Sequence, residues 1–346
     1  MSNVKTKAIG FQKSLAISEA DSLVDIQVNK PQASGRDLLV KIKAISVNPV
    51  DYKIRQNMPP ENGEFKVIGW DAVGVVEAVG DDVSLFSVGD EVYYAGDLTR
   101  AGSNAEYQVV DERIVGHKPK SVNDAQAAAL PLTAITAWEL LFNGLSIPMS
   151  TDESSDADKP IILVIGAAGG VGSIFIQLVK VLTNATIIAS ASREASATWV
   201  KDLGADFVVD HTKDLVSQVK ALNIGEVSHV ASLNGTEKYV EAFTEVLKPF
   251  GKIGLIDDPA TFNIGLLKRK CISLHWEFMF TRSMFKTQDM HVQHKLLNKV
   301  ASLIDQGMIK TTLGKNLGII NAENLRQAHA DLESGKSIGK IVLEGF

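Results

Sequence analysis

The sequence contains a single cysteine, Cys271, among its 346 residues. No disulfide can form within the chain, and a zinc site built from several cysteines is excluded. An excess of basic residues is absent too, since the formal net charge is −6 and the isoelectric point is about 5.7. Because no overall positive field attracts nucleic acid or anionic lipid, we expect no nucleic acid and no membrane as partners.

Long apolar segments are also lacking. Lys5 and Lys7 lie near the N-terminus, but no apolar segment of a signal peptide follows them, and no stretch of membrane-spanning length is evident. The composition is typical of a globular protein, with 45% hydrophobic and 22% charged residues. We therefore expect a cytoplasmic protein, and its length indicates two domains.

The central feature of the sequence is a strand–turn–helix pattern that begins at Ile161. Residues 161–165 are all aliphatic, which is typical of a strand buried on both faces in a parallel sheet. After the glycines that follow, apolar residues recur at the spacing of a helix with one face on a core: Val171, Ile174, Phe175, Leu178 and Leu182. In this context a glycine-rich turn binds a dinucleotide pyrophosphate at a helix N-terminus.

The glycine motif in this turn is a variant. Gly169, Gly170 and Gly172 match the later positions of the dinucleotide-binding pattern, but Ala167 stands where its first glycine belongs. We predict that Gly169, Gly170, Val171 and Gly172 bind a nicotinamide cofactor. The alternative is a glycine-rich turn in some other α/β domain.

The remaining patterns divide the chain into segments. Residues 1 to about 130 show short strands and closely spaced turn signals, as in a small barrel-like β domain, with no helix of convincing length. Beyond residue 160, alternating strands and helices predict a parallel, doubly wound sheet with right-handed crossovers. The predicted strands there are 161–165, 185–190, 207–209, 227–233 and 252–256, with helices over 194–203 and 237–247. The closing segment has an edge strand over 271–280, helices over 289–306 and 322–334, and a last strand over 339–343, while residues 146–160 indicate an exposed acidic loop.

Four motifs together carry a resemblance to a known family. They are Ser46-Val-Asn-Pro-Val-Asp-Tyr-Lys-Ile-Arg55, Gly69-Trp-Asp-Ala-Val-Gly-Val-Val-Glu77, Leu130-Pro-Leu-Thr-Ala-Ile-Thr-Ala137 and Gly166 to Gly172. In this order they resemble the medium-chain dehydrogenase/reductase superfamily over essentially the whole chain, and within it the zinc-free quinone oxidoreductase branch, often labelled zinc-type alcohol dehydrogenase-like. The resemblance implies an α/β fold: a Rossmann domain with a doubly wound parallel sheet, plus a β-rich GroES-like barrel domain. We place the GroES-like catalytic domain at residues 1–130 and 281–346, and the Rossmann NADP-binding domain at residues 131–280.

The resemblance also exposes the absence of zinc ligands. Zinc alcohol dehydrogenases have a cysteine where Asn48 stands, a histidine where Trp70 stands and a second cysteine near Leu132, and none of these three residues binds zinc well. His291 and His294 are three residues apart, a spacing that could hold a metal but is more typical of a solvated helix face. We therefore predict no metal site.

The end of the second predicted strand favours NADP(H) over NAD(H). In NAD-specific folds an acidic residue about 20 positions beyond the glycines binds both ribose hydroxyls. Here that region contains Ser190, Ser192 and Arg193, whose hydroxyls and guanidinium favour a 2′-phosphate. In the alternative interpretation, Ser192 only caps the next helix and Arg193 is solvated.

Further cofactor contacts are predicted at the ends of later strands. Leu233, Asn234 and Ile256 follow the fourth and fifth predicted strands, where a doubly wound sheet binds its ligand. The resemblance places Thr136 near the nicotinamide and Lys340 near the cofactor, although Lys340 could equally be an ordinary surface lysine.

The predicted absence of a metal site limits which substrates the chain is expected to reduce or oxidise. Without a Lewis acid, alcohol oxidation has no evident way to stabilise an alkoxide, whereas a quinone or a carbonyl-conjugated alkene delocalises the charge of an added hydride by itself. The resemblance makes Asn48 and Tyr52 the candidate catalytic hydrogen-bond donors and Trp70 a pocket wall. We expect Asp51 and Arg55 to form a structural ion pair. The predicted function is NADPH-dependent reduction of quinones or related α,β-unsaturated carbonyl compounds without zinc.

Other functions stay open. An enoyl-thioester reductase has related chemistry, although no strong basic patch for a CoA phosphate is evident. An NADPH-binding sensor or RNA-binding protein with little catalysis is a further alternative, against which the acidic balance argues. A zinc alcohol dehydrogenase is nearly excluded by the loss of ligands.

We also predict a homodimer acting on a small-molecule substrate. Members of the family commonly dimerise through an edge strand of the cofactor domain. The predicted strand over 271–280 is long, apolar and aromatic, so an open edge there would invite aggregation.

Overall fold

The computed structural model describes residues 4–149 and 159–346, so most of the acidic loop predicted over 146–160 lies outside the described residues. The chain divides into two compact units, one formed by Met1–Ile135 with Phe280–Phe346 and the other by Thr136–Met279. The first boundary lies five residues beyond the predicted position of 130/131, and the second lies one residue before the predicted 280/281.

Strands β1 to β16 in the described ranges are Lys5–Phe11, Val24–Asn29, Asp37–Val47, Lys66–Val67, Ala72–Val79, Glu91–Tyr94, Tyr107–Asp111, Val115–His117, Ile161–Ile165, Thr186–Ser190, Phe207–Val209, Val227–Ser232, Leu247–Leu255, Ser273–Trp276, Leu313–Asn316 and Lys340–Glu344. Helices α1 to α10 are Pro49–Asn57, Asp124–Ala128, Pro131–Trp138, Gly170–Leu182, Glu194–Asp202, Leu215–Ala221, Val240–Val246, Thr281–Met284, Val292–Asp305 and Ala322–Glu333. A π-helical segment, Glu139–Gly144, continues α3.

The second unit is built on one parallel sheet. Its strand order is β11-β10-β9-β12-β13-β14, and every neighbouring pair is parallel. Strand β9 lies inside the sheet with all five residues buried, as its unbroken aliphatic run predicts. The predicted α/β fold with a doubly wound parallel sheet is confirmed.

The first unit is rich in antiparallel strands. A seven-stranded sheet runs β15-β16-β3-β5-β6-β8, with β7 also pairing with β3, and a smaller sheet has the order β2-β1-β4. Strand β3 is eleven residues long and is the centre of the larger sheet, where it pairs with β5, β7 and β16. Shifts of register between β3 and β5 bend this sheet, as expected of a barrel-like domain.

Several sequence-based expectations about elements were wrong. Helix α1 lies within the part of the chain where no helix was expected, and α6 was not predicted at all. Helix α4 was predicted to bury one face, but eight consecutive residues from Gly172 to Val179 are buried, because the helix packs on more than one side. The edge strand β14 is four residues long rather than ten.

One helical stretch contradicts the expectation that no segment has membrane-spanning length. Asp124–Gly144 is long and apolar enough to cross a membrane by length and composition alone. Its most apolar window is 83% buried inside the molecule, which is typical of the core helix of a globular protein. The expectation failed because Pro131 interrupts this stretch in the sequence, so that it does not resemble one long apolar helix.

Candidate functional site

The glycine turn between β9 and α4 has the backbone geometry of a dinucleotide site. Gly166 has φ +76°, in the left-handed region that favours glycine, so it makes the tight turn that was assigned to the position of Ala167. A Cβ on Gly172 would lie 2.4 Å from the Ala167 carbonyl oxygen, so only glycine fits there. Helix α4 begins at Gly170 with Gly169 as its N-cap, and its first N–H groups have no partner within the helix. This cradle fits a pyrophosphate.

The predicted 2′-phosphate residues lie at the end of β10, next to this turn. The Ser190 hydroxyl accepts a hydrogen bond from the Gly166 N–H at 3.1 Å, so it supports the glycine turn directly. Ser192 and Arg193 are exposed immediately after the strand. The alternative in which Ser192 caps the next helix is wrong, because Arg193 is the N-cap residue of α5 and its N–H donates to the Ser196 hydroxyl at 3.2 Å.

Leu233, Asn234 and Ile256 lie at the carboxyl ends of β12 and β13, as predicted. The Leu233 N–H donates to the Ile165 carbonyl at 3.1 Å, and a Cβ on Gly166 would lie 3.4 Å from the Cβ atoms of both Leu233 and Asn234. The fold therefore brings these residues to the same edge of the sheet as the glycine turn. Thr136 is a buried residue of α3, and its predicted nicotinamide contact stays a prediction.

Asn48, a predicted catalytic residue, is the N-cap residue of helix α1 in the first unit. Its backbone N–H donates to Asp51 Oδ2 at 2.7 Å, and Pro49 occupies the first helical position, where no N–H is needed. The sequence Asn-Pro-Val-Asp thus encodes a helix start, and this fixes the orientation of the turn that carries Tyr52.

The side chain of Asn48 belongs to a buried network around Asp71 and Lys340. The Lys340 ammonium donates to Asp71 Oδ2 at 3.0 Å, to the Val47 carbonyl at 3.0 Å and to Asn48 Oδ1. The Asn48 amide donates to Asp71 Oδ2 at 2.9 Å and to the Trp70 carbonyl at 3.0 Å. Asn48 and Lys340 are 1% and 3% exposed, and Asp71 is fully buried.

The N–H donors of Lys340 and of the Asn48 amide all have acceptors in this network. Three acceptors match the three N–H donors of Lys340, and both N–H groups of the Asn48 amide have acceptors. Asp71 Oδ1 accepts from the Leu132 N–H at 2.7 Å, which fixes the start of α3. The alternative of an ordinary surface lysine at position 340 is wrong, and the direct cofactor contact of Lys340 stays a prediction.

Two buried carboxyls beside this ammonium have perturbed pKa values. Burial raises the pKa of Asp71 above its ordinary value, while Lys340, the Asn48 amide and the Leu132 N–H act to lower it. Burial likewise raises the pKa of Asp51 to about 7, and the Asn48 N–H only partly opposes this. Asp51 Oδ1 has no hydrogen-bond partner among the described residues, which fits a carboxyl that keeps its proton near neutral pH.

Tyr52 and Trp70, both expected beside the substrate, have different surroundings. Tyr52 is half-buried, and in the described part of the chain its hydroxyl makes no hydrogen bond, so it is free to donate to a ligand. Trp70 is 1% exposed, donates its indole N–H to the Asp97 carbonyl at 3.2 Å and packs edge-on against Phe280. Trp70 is therefore a core residue rather than a pocket wall.

The expected ion pair between Asp51 and Arg55 is wrong. Asp51 caps α1, whereas the buried Arg55 pairs with Glu333 at 2.5 Å and donates to His329 Nδ1 at 3.4 Å. Burial, with the Arg55 charge added, lowers the pKa of His329 to about 3, so this imidazole is neutral and accepts the guanidinium N–H. The sequence placed Asp51 and Arg55 one helical turn apart, but each has a stronger partner elsewhere.

Residues 4–149 and 159–346 contain no group of three or more His, Cys, Asp or Glu side chains that could hold a metal ion. His294 does not mark a solvated face: its Nδ1 bonds to the Val115 carbonyl at 2.6 Å, and its ring packs against Phe86. Asp71 and Gly166 were not among the predicted site residues. Their signals were present, since Asp71 stands inside a quoted motif and Gly166 directly follows the buried strand.

Two family models match the chain. The alcohol dehydrogenase GroES-like domain matches residues 34–120, and the zinc-binding dehydrogenase domain matches residues 203–343. A zinc-type alcohol dehydrogenase-like protein of Staphylococcus epidermidis is 39% identical over 97% of this chain and 99% of its own length. The 2-methylene-furan-3-one reductase of Solanum lycopersicum is 30% identical over 92% of this chain and 74% of its own length.

Solved structures have the same fold over the full length. A protein of Rhizobium etli CFN 42, named as a candidate zinc-dependent alcohol dehydrogenase, is 50% identical with a TM-score of 0.95, covering 100% of this chain and 99% of its own. Escherichia coli quinone oxidoreductase, solved in complex with NADPH, is 24% identical with a TM-score of 0.79, covering 98% of this chain and 99% of its own. That protein therefore binds a nicotinamide cofactor on this fold.

Proposed function

The chain belongs to the medium-chain dehydrogenase/reductase superfamily of oxidoreductases, and we propose that it reduces quinones or α,β-unsaturated carbonyl compounds with NADPH and without zinc. The observation that carries this proposal is the buried network of Asn48, Asp71 and Lys340. Asn48 stands at one motif position where the zinc alcohol dehydrogenases have a metal ligand, Trp70 and Leu132 at the other two contribute only backbone groups, and the network contains the Lys340 ammonium.

The chemistry of this network argues against zinc. Asn48 Oδ1, the one metal-binding atom of that side chain, already accepts a hydrogen bond from the Lys340 ammonium. A divalent ion bound there would meet a buried positive charge at close range, which is strongly unfavourable in a poorly solvated site. Leu132 and the buried indole of Trp70 supply no ligand.

The cofactor side supports a nicotinamide dinucleotide. The glycine turn at Gly166 and the N-terminus of α4 would hold the pyrophosphate, with Leu233, Asn234 and Ile256 along the same edge. Ser192 and Arg193 are exposed where a carboxylate would select NAD, which favours the extra phosphate of NADP. When bound, the reduced nicotinamide supplies a hydride.

Residues of the first unit would handle the substrate oxygen. The Tyr52 hydroxyl is the available donor, and a hydrogen bond from it stabilises negative charge on a carbonyl or quinone oxygen. Asn48 was predicted as a second donor, but both its amide N–H groups have protein acceptors. We assign Asn48 the role of fixing the start of α1, and thereby Tyr52.

The proposed substrate class fits the donor set. Residues 4–149 and 159–346 contain no group of three or more metal-binding side chains, and an acceptor that delocalises charge by itself, as quinones and conjugated enones do, suits a site that works through the Tyr52 hydroxyl. The name of the tomato relative, a reductase of a methylene-furanone, supports the enone class.

We also propose that the protein is a symmetric dimer through β14. This strand is one of the two edges of the parallel sheet; its last residue, Trp276, and Phe278 two positions further are 55% and 48% exposed. Sedimentation analysis at micromolar concentration should give a dimer. A monomer under those conditions would contradict this part of the proposal.

The function is tested by following nicotinamide oxidation with p-benzoquinone and, separately, with methyl vinyl ketone. We expect turnover with NADPH at least tenfold faster than with NADH, and a Tyr52→Phe variant slowed about 10- to 100-fold at saturating cofactor, the usual worth of one oxyanion donor or somewhat less. Tight NADPH binding without turnover of either acceptor would instead favour the thioester reductase or the sensor.

A further inference from the structure

Asp257 makes an unassigned contact at the cofactor edge of the parallel sheet. It follows β13 by two residues, and its carboxylate accepts both donors of one residue, Thr236: the N–H at 2.8 Å and the hydroxyl. Thr236 is fully buried. Because the hydroxyl proton of Thr236 is used in the bond to Asp257, the Ser232 hydroxyl must be the donor in its 2.8 Å bond to Thr236 Oγ1.

This chain of hydrogen bonds closes a short loop at the end of β12. Leu233, Asn234 and Gly235 lie between Ser232 and Thr236, and Gly235 has φ +66°, in the left-handed region. Ser232 and Thr236 are therefore tied together at the two ends of the loop.

The loop packs on the glycine turn. The Leu233 N–H donates to the Ile165 carbonyl at 3.1 Å, and a Cβ on Gly166 would be 3.4 Å from the Cβ atoms of Leu233 and Asn234. A shift of the loop would change the surface that faces a ligand at this edge. Asp257 is itself held from the other side, because the Trp276 indole N–H donates to its carbonyl at 3.0 Å.

We propose that Asp257 is a positioning residue for the nicotinamide cofactor, acting through Thr236 on the Leu233–Asn234 loop. The proposal rests on the proposed cofactor site. A carboxylate is required because Thr236 presents two donors to two oxygens; asparagine has one acceptor oxygen, and its NH₂ group would face a donor. Asp257, just beyond the end of β13, thus holds in place the loop residues that lie beside the proposed cofactor site.

The test is the dissociation constant for NADPH, measured by cofactor fluorescence on the intact protein. We expect Asp257→Asn and Thr236→Val each to weaken binding about 10- to 100-fold, the fold-change of losing one charged hydrogen bond. Thr236→Ser keeps both donors and should bind like wild type. At saturating NADPH, kcat should change less than about twofold in all three variants, because the reacting groups are untouched.

Asp97→Asn is the matched control. Asp97, in the first unit, also accepts the N–H and the hydroxyl of one threonine, Thr99, both at 2.8 Å but on a single oxygen, so NADPH affinity should not change. Wild-type affinity in both Asp257→Asn and Thr236→Val would overturn the proposal, as would a loss in Thr236→Ser equal to that in Thr236→Val. If wild type binds NADPH and the variants bind equally, only this inference fails; if wild type binds neither NADPH nor NADH, the proposed function fails with it.

Discussion

Replacing Lys340 by methionine removes the only ammonium in the network that contains Asn48 and Asp71. The fully buried Asp71 loses its counter-ion, and the Val47 carbonyl and Asn48 Oδ1 lose a donor. Breaking a buried ion pair from one side costs about 3–5 kcal/mol of unfolding free energy. The methionine fills most of the vacated volume, so the electrostatic loss dominates.

The double variant separates charge from packing. Lys340→Met with Asp71→Asn removes both charges, and we expect it to recover about 2–3 kcal/mol relative to the sum of the single variants. The penalty of Lys340→Met alone should be smaller at pH 5 than at pH 8. Burial raises the pKa of Asp71, so at lower pH the unpaired carboxyl is protonated and its charge is removed.

The assay is urea unfolding with peptide-resolved hydrogen exchange, read on α1 and β16, because the two units need not unfold in one step. Tyr93→Phe in the same unit is a control: it removes one buried hydrogen bond, to the Leu297 carbonyl, without affecting the network. A cost below about 1 kcal/mol for Lys340→Met, or no coupling with Asp71→Asn, would refute the role assigned to the ion pair.

Three further predictions concern Asp51, the glycine turn and Arg193. Burial raises the pKa of Asp51 from an ordinary 3.8 to about 7, so between these pH values the folded protein holds a proton that the unfolded chain releases. The free energy of unfolding should therefore fall by about 4 kcal/mol as pH rises from 4 through 7. In urea titrations Asp51→Asn should flatten this dependence. Gly172→Ala should destabilise the second unit by at least about 2 kcal/mol, because its Cβ would lie 2.4 Å from the Ala167 backbone. Gly169→Ala is the control: the nearest atom to its Cβ would be 3.4 Å away, so it should cost less than about 1 kcal/mol in the same urea titrations. Arg193→Glu should lower the NADPH to NADH preference in kcat/KM at least about tenfold, and an unchanged ratio would contradict the 2′-phosphate site.

The parallel sheet was predictable because its signal is local. The aliphatic run at 161–165 and the glycines after it decide both the strand and the turn within a dozen residues. Helix α1 was missed for a local reason as well: Asn-Pro-Val-Asp resembles a turn, and only the bond from the Asn48 N–H to Asp51 shows that it starts a helix.

The ion pair of Asp71 and Lys340 could not be predicted in the same way. The two residues are 269 positions apart and meet only because β16 pairs with β3, next to β5. The resemblance pointed to Asn48 and Lys340 separately, but their shared partner is Asp71. For the same reason Arg55 was paired with its near neighbour rather than with Glu333, 278 residues away.

We propose that this protein reduces its acceptor with NADPH and without zinc, with Asn48, bound to the Lys340 ammonium, at a position where zinc alcohol dehydrogenases have a ligand. The most direct measurement combines metal analysis of the purified protein with the rate of NADPH oxidation by p-benzoquinone before and after dialysis against a chelator. We expect well under one zinc per chain and an unchanged rate. Stoichiometric zinc, with activity lost on chelation and restored by zinc alone, would contradict the account.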